Sequence, residues 1–524
     1  MTIAPALRRN TLSDLLRRTA RRAPHKPGIV CADTVWTWAQ FDALVSRLAA
    51  GLHHQAGVQV GDRVAVLARN SHGFAALRFA LARLGAVLVP VNFMLQADEA
   101  AFILRHAGAR LLAVDSALAA LGQAAAARDT GVAQLLWLPS EAASSCPEGL
   151  LNFDQLAACS EALPELDIGD DDLLQIVYTS GTESSPKGAM LSHQAVISQY
   201  VSCIVAGEMS ERDVWLHALP LYHCAQLDVF FGPGVTLGAT NHITAVPTAE
   251  NLLALIARQR ITAFFAPPTV WIALLRCPAF DSSDLSSLQR GYYGASIMPV
   301  AVVRELIERL PALRLFNLYG QTEIAPLATV LKPEDQLRKP GSAGRPVLNV
   351  ETRVVDDDMV DVAPGQVGEI VHRSPQLMSG YFNDPERSAA AFAGGWFHSG
   401  DLALIDDEGY ITVVDRKKDM IKTGGENVAS REVEEALYLM PQVSEVAVVG
   451  LTHPRWIEAV TAVIVAKPGT PPSAAQVLAH CAQHLAPFKC PKAVVFVDAL
   501  PKNPSGKLLK RQLRQQFEGL YNQH

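Results

Sequence analysis

Cysteine is sparse and unpatterned: eight are scattered over 524 residues, and no two stand as Cys-x-x-Cys. This excludes a disulfide-built scaffold and supplies no zinc ligand set. The expectation is reduced thiols in a cytoplasmic protein. Long apolar runs are missing too. No stretch reaches the roughly eighteen consecutive apolar residues that a spanning helix needs, and no secretory h-region opens the chain. Peripheral membrane contact stays open. There is no excess of charge of one sign that would form a basic stripe. Lysine and arginine number 45 against 52 aspartates and glutamates, a net of −7, which argues against a nucleic-acid partner. An anionic ligand must therefore be held by a few placed cations and backbone amides. Charged residues make up only 19% and hydrophobic residues 49%, so large cores can form and disorder is not expected. No internal repeat is present.

What is there reads as alternation. Arginines 8, 9, 17, 18, 21 and 22 could mark a transit peptide. Thr11 followed by Asp14, with Leu12, Leu15, Leu16 and Ala20 as an apolar stripe, reads instead as a capped surface helix. Helices are expected over 36–55, 73–84 and 98–107, with short continuous apolar strands over 63–67, 86–91 and 111–114. The pattern repeats with strands over 173–178, 214–218, 261–266 and 313–318 and helices over 249–260 and 300–309. Such alternation implies a parallel sheet covered on both faces. After residue 341 the texture changes to short strands between turn clusters, over 351–355, 368–372 and 410–414, a small β subdomain. Beyond the charged run Asp415-Arg416-Lys417-Lys418-Asp419 the α/β alternation returns. We expect the main boundary there, with domains 1–415 and 416–524, the second long enough to fold alone.

Two loops carry the chemistry. The first is Thr179-Ser180-Gly181-Thr182-Glu183-Ser184-Ser185-Pro186-Lys187-Gly188. It is not a Walker A loop, because Lys187 precedes Gly188 and no Ser or Thr follows the lysine. Its hydroxyls, glycine-freed amides and one ammonium still suit phosphate oxygens; a hydrophilic surface loop has the same composition. The second is Pro501-Lys502-Asn503-Pro504-Ser505-Gly506-Lys507, a lysine held out on a stiffened loop in a Lys-rich tail. A chain with both, far apart, closes a small tail domain over a nucleotide bound to a large body.

The first loop resembles the signature loop of the adenylate-forming superfamily: acyl-CoA synthetases, 4-coumarate–CoA ligases, firefly luciferases and peptide-synthetase adenylation domains. Further matches stand at Asn317-Leu318-Tyr319-Gly320-Gln321-Thr322-Glu323, Gly395-Trp396-Phe397-His398-Ser399-Gly400-Asp401, Asp415 to Asp419, and Lys422-Thr423-Gly424-Gly425-Glu426-Asn427. The order is fixed and spans the whole chain, and the texture is closest to bacterial fatty-acyl-CoA synthetases. Two positions depart: Glu183 stands where the family has Thr or Ser, and Ser184 where it has Gly. A carboxylate beside a triphosphate is repulsive and Ser loses the freedom of Gly at positive φ, so neither is carried over as a ligand.

The resemblance implies an α/β fold. A large N-terminal domain of two stacked αβα subdomains and a small β-barrel subdomain would precede a small mobile α+β C-terminal domain. It implies ATP and Mg²⁺, with Thr179, Ser180, Gly181, Thr182 and Lys187 around the phosphates. Gly294, Ala295, Asn317, Tyr319, Gly320 and Thr322 would line the nucleotide. Glu323, with Thr179 second, would ligate Mg²⁺, a hard ion that takes one or two protein oxygens plus phosphate. Asp401 would accept the ribose hydroxyls beside Arg416. His223 would orient the substrate carboxylate, and Lys507 would stabilise the charge that develops on the α-phosphate. Lys418 would be the hinge that, in a second step, brings Gly424 and Gly425 to the thiol tunnel. The acyl pocket would draw on residues 224–232, Tyr292 and Tyr293, with Asp228 either entering it or facing away. The implied activity joins a carboxylic acid, fatty by first expectation, to CoA through an acyl-AMP, in a monomer or homodimer. Two rivals remain: an acceptor that is an amine or a carrier-protein thiol, and a nucleotide-binding scaffold without catalysis.

Overall fold

Thr11 and Asp14 start the chain's first helix as a capping box. The Thr11 side chain accepts from the Asp14 amide and the Asp14 carboxylate accepts from the Thr11 amide at 3.0 Å. The helix Leu12–Arg22 then buries Leu12, Leu15, Leu16 and Ala20, the stripe its sequence spaces at helical intervals. The computed structural model describes residues 7–521 apart from 143, 180–185, 297, 468, 470 and 503–507. No helix among the described residues is long and apolar enough to cross a membrane. The chain divides into two compact units, residues 1–351 with 373–397, and residues 352–372 with 398–524.

The first unit is built on two large mixed sheets. One has eight strands and carries Arg63–Leu67, Val87–Pro90, Leu111–Val114 and Leu173–Thr179 as parallel neighbours. Its edge turns antiparallel where Lys187–Ser192 folds back on Leu173–Thr179, with Thr179 opposite Lys187. The other has nine strands, with Val214–His217, Ala263–Phe265, Arg290–Gly294 and Arg314–Gly320 running parallel and Leu327–Leu331 antiparallel at the end. Arg63–Leu67, Val87–Pro90 and Leu111–Val114 are continuous, almost wholly buried apolar runs, as parallel strands covered on both faces are. The second unit holds nearly all of a four-stranded sheet that includes Glu351–Val355, Phe397–Ile405 and Ile411–Arg416, the last two antiparallel. It also holds a five-stranded sheet centred on Val443–His453 and Ile457–Ala466. The protein is thus α/β with a large N-terminal part and a small C-terminal one.

Boundaries shift where side chains outweigh propensity. The helix expected from residue 36 begins at Trp38, because Thr37 is its N-cap, accepting from the Gln40 amide. Residues 34–37 are instead a β-strand paired with Pro27–Cys31. Residues 225–231, apolar but for the buried Gln226 and Asp228, form a π-helix, a geometry frequent at functional sites.

Five histidines lie buried among these elements. Burial pushes His72, His193, His217, His242 and His372 down to about 4. His193 accepts from the Leu12 amide through Nδ1, and His217 sits between Asn241 and Gln226. In the unfolded chain each titrates near 6.5. The folded values are lower, so their stabilisation is present above about pH 6.5 and lost as pH falls toward 4. Each is worth about 2 kcal/mol by pH 5. Urea midpoints should therefore drop between pH 6.5 and 5, and His217→Gln should flatten that slope by about one proton. A flat profile across this window would contradict the assignment.

Candidate active site

The hairpin of strands Leu173–Thr179 and Lys187–Ser192 brings Thr179 and Lys187 together across its register. This places the hydroxyl and the ammonium at the two feet of the loop. Ser180, Gly181 and Thr182 lie outside the described residues, as do Glu183 and Ser184. A third strand, Gly380–Tyr381, adds to the hairpin with Tyr381 opposite Ala189. Tyr381 and Lys187 then share a face as diagonal neighbours, and the Lys187 ammonium stands 5.3 Å from the Tyr381 ring centroid.

The strand Arg314–Gly320 delivers the second group. Gly294 pairs with Leu318 and Tyr293 with Asn317, so the nucleotide-lining candidates on the two strands are neighbours. Asn317 turns its amide nitrogen to the Ser342 carbonyl at 2.8 Å. Gly320 is required: a Cβ there would stand 1.8 Å from the Pro326 carbonyl oxygen. Ala295 holds the left-handed region at φ 64°. The 3-10 turn Thr322–Ile324 follows. Glu323 is buried, with its Oε1 accepting from the Tyr381 hydroxyl at 2.9 Å and its backbone oxygen accepting from the Met378 amide.

Thr322 meets the His223 segment. Its Oγ1 lies 3.2 Å from Cys224 Sγ, and burial pushes the Cys224 thiol up to about 12. His223 Nδ1 accepts from the Ala225 amide at 3.1 Å, which leaves Nε2 to carry the proton of the neutral ring. The first unit therefore gathers Thr179, Lys187, Thr322, Glu323 and His223 around residues that tie them together, above all Tyr381, which sequence reasoning missed.

The residues expected to form the acyl pocket are packed into the core. Phe230 stacks on Phe265 at 4.5 Å and tilts on Trp215, while Phe231 meets Phe79 and His217 edge-on. The hydroxyl of Tyr292 donates to the Gly207 carbonyl and that of Tyr293 to Gln336. Asp228 is turned into the core: it pairs with Arg78 at 2.5 Å and accepts from Gln175 at 2.8 Å, and both charged side chains are fully buried.

In the second unit Asp401 and Arg416 stand opposite each other across two strands and form an ion pair at 2.6 Å. Gly400 precedes Asp401 at φ 68°, and Glu369 accepts from the Gly400 amide. Around Lys418, which is exposed, the segment is held on both sides. Asp415 accepts from the Ser430 amide and hydroxyl, and Asp419 pairs with Arg514 at 2.7 Å. Gly424 and Gly425 are the two-residue turn between Thr423 and Glu426, with φ of 59° and 91°, the left-handed geometry that a tight hairpin demands. Lys507 lies outside the described residues.

Among the described residues no group of three or more His, Cys, Asp and Glu could hold a metal ion. A single buried carboxylate, oriented by a hydroxyl, fits Mg²⁺ brought in by a nucleotide, since that ion keeps phosphate and water ligands. It does not fit a stand-alone metal centre.

Comparison with known proteins gives the family and the fold. The model of the AMP-binding enzyme family matches residues 16–382, and that of the AMP-binding enzyme C-terminal domain matches residues 432–507. Feruloyl-CoA synthase of an Amycolatopsis species is 36% identical over 505 residues, covering 95% of this chain and 98% of that one. A long-chain-fatty-acid–CoA ligase of Mycobacterium tuberculosis is 36% identical over 509 residues, covering 96% and 98%. The crystal structure of ATP-bound MatB from Rhodopseudomonas palustris superposes with a TM-score of 0.87 at 31% identity, covering 97% of this chain and 99% of that one.

Proposed function

The chain belongs to the AMP-binding enzyme family, and from that premise we propose that it is an AMP-forming acid–CoA ligase acting on a carboxylic acid with an apolar body. The observation that carries the reading is the Thr179–Lys187 hairpin joined through Tyr381 to Glu323. It sets a hydroxyl, an ammonium and a carboxylate beside the nucleotide-lining strand, the donor set a magnesium triphosphate needs.

In the first step a carboxylate oxygen of the acid attacks the α-phosphorus of ATP. The new P–O bond gives acyl-AMP as the bond to the β-phosphate oxygen breaks and pyrophosphate leaves. Lys187 and the hydroxyl of Thr179 bind the phosphates, and His223, with its proton on Nε2, orients the acid. Asp401, beside Arg416, takes the ribose hydroxyls. Bound at Glu323, Mg²⁺ supplies charge neutralisation on the phosphate oxygens. Lys507 stabilises the charge growing on the α-phosphate. In the second step the tail turns about Lys418 and carries Gly424 and Gly425 to the thiol. The CoA sulfur attacks the acyl carbonyl, a thioester forms and AMP leaves.

The relatives named above act on an aromatic acid and on long-chain fatty acids, so the apolar body is aliphatic or aromatic. The decisive measurement is pyrophosphate release over a panel of fatty, arylalkanoic and hydroxycinnamic acids, run with and without CoA. Acyl-CoA should form with at least one apolar acid. Acid-dependent pyrophosphate release that CoA leaves unchanged, with amide appearing when an amine is added, would move the acceptor to the amine. No release with any acid would return the chain to a binding scaffold.

A further inference from the structure

Tyr381 touches both charged groups of the phosphate site with different parts of one side chain. Its ring face lies under the Lys187 ammonium, 5.3 Å from the centroid. Its hydroxyl donates to Glu323 Oε1 at 2.9 Å. The backbone fixes this arrangement. Gly380–Tyr381 pairs antiparallel with Lys187–Ser192, and Phe382 donates its amide to the Gly188 carbonyl. Met378 holds the Glu323 backbone. The segment 378–382 therefore spans from the loop's lysine to the carboxylate, and both Tyr381 and Glu323 are under a tenth exposed.

A buried carboxylate needs a donor, and one taken from Lys187 would remove both groups from a triphosphate at once. The Tyr381 hydroxyl gives Glu323 its donor, and the ring offers the Lys187 ammonium a neutral face. Burial and the neighbouring Glu323 charge push the phenol up, so it remains a donor throughout the physiological range.

We propose that Tyr381 is a positioning residue of the phosphate site: its hydroxyl orients Glu323 toward the nucleotide's divalent cation and its ring keeps Lys187 apart from that carboxylate. This rests on the reading of Glu323 as the cation's ligand. Hydrogen-bonded partners of ligating carboxylates typically change metal affinity by about 10- to 100-fold when removed.

The test is binding without turnover. Fluorescent N-methylanthraniloyl-ATP is titrated in the absence of any acid, first with EDTA and then at increasing Mn²⁺, for wild type, Tyr381→Phe, Tyr381→Leu and Glu323→Gln. Thermal midpoints check that each variant is folded. Tyr381→Phe should raise the Mn²⁺ concentration at half-effect about 10-fold or more and leave metal-free affinity unchanged. Tyr381→Leu, which removes the ring beneath Lys187 as well as the hydroxyl, should also weaken metal-free binding. A Mn²⁺ dependence unchanged in Tyr381→Phe but shifted in Glu323→Gln would overturn the role of Tyr381 and leave Glu323 as ligand. No shift in either would remove both. Equal loss with and without Mn²⁺ in Tyr381→Phe would make the residue merely structural and overturn the proposal.

Discussion

Lys507→Ala should slow acyl-AMP formation by roughly 10²- to 10³-fold, the loss seen when one donor to a developing oxyanion is removed. The acid's attack moves negative charge onto the non-bridging oxygens of the α-phosphate. If Lys507 acts there as proposed, its ammonium would stabilise that charge more than bound ATP, so the loss should fall on kcat and kcat/KM together and spare KM. Thioester formation from supplied acyl-AMP should be much less affected, since its charge develops on the acyl oxygen and the leaving phosphate is already formed. The check is pyrophosphate release for the first half-reaction and thioester yield from synthetic acyl-AMP plus CoA for the second. Equal losses in both would refute the assignment of Lys507 to one step only.

The layers of the fold were readable because their signals are local. Runs such as Arg63-Val64-Ala65-Val66-Leu67 and Leu111-Leu112-Ala113-Val114 are strands with the bounds their apolar character sets. The capping box at Thr11 and Asp14 is visible in four consecutive residues. The motif residues Thr179, Lys187, Thr322 and Glu323 were legible as motifs, and the fold brings them into one unit. What joins them was not legible. Tyr381 lies on a two-residue strand, too short for any periodicity, and it finds Glu323 only through the tertiary pairing of that strand with Lys187–Ser192. The π-helix at Ala225–Phe231 buries its two polar residues, Gln226 and Asp228, along with its apolar ones, so its sequence carries no amphipathic phase by which a wider turn differs from an ordinary helix. Asp228 was ambiguous for the same reason: its partner Arg78 belongs to a helix 150 residues earlier, and no local rule points from one to the other.

That pair sets the other large expected effect. Arg78→Met should destabilise the first unit by about 3–5 kcal/mol, the cost of stranding a buried charge whose partner is gone. Arg78 and Asp228 have no exposed side-chain surface. Arg78 also donates to Gln175 at 2.7 Å and to Tyr200 at 3.1 Å, so the methionine variant leaves two more polar groups short of a partner. Removing the charge on both sides tests the cause. Arg78→Met combined with Asp228→Leu should recover part of the loss, because no charge is left stranded, although Gln175 and Tyr200 still lack the partners they had. Guanidinium chloride midpoints of the wild type, the single variant and the double variant measure this. A single variant within about 1 kcal/mol of wild type would mean that the pair contributes no more than an exposed one. The effect should also reach activity. With its carboxamide oriented to donate, Gln199 bonds the Asp228 and Ala325 carbonyls at 3.0 and 3.1 Å, and Cys224 bonds Thr322. The π-helix is thereby tied to residues 322–325 at its start and, through Gln199, at its middle. The double variant should therefore regain part of the stability yet keep a lowered kcat, since His223 and Glu323 would remain attached to a segment that Asp228 no longer anchors. Recovery of kcat as well would place the pair in folding alone.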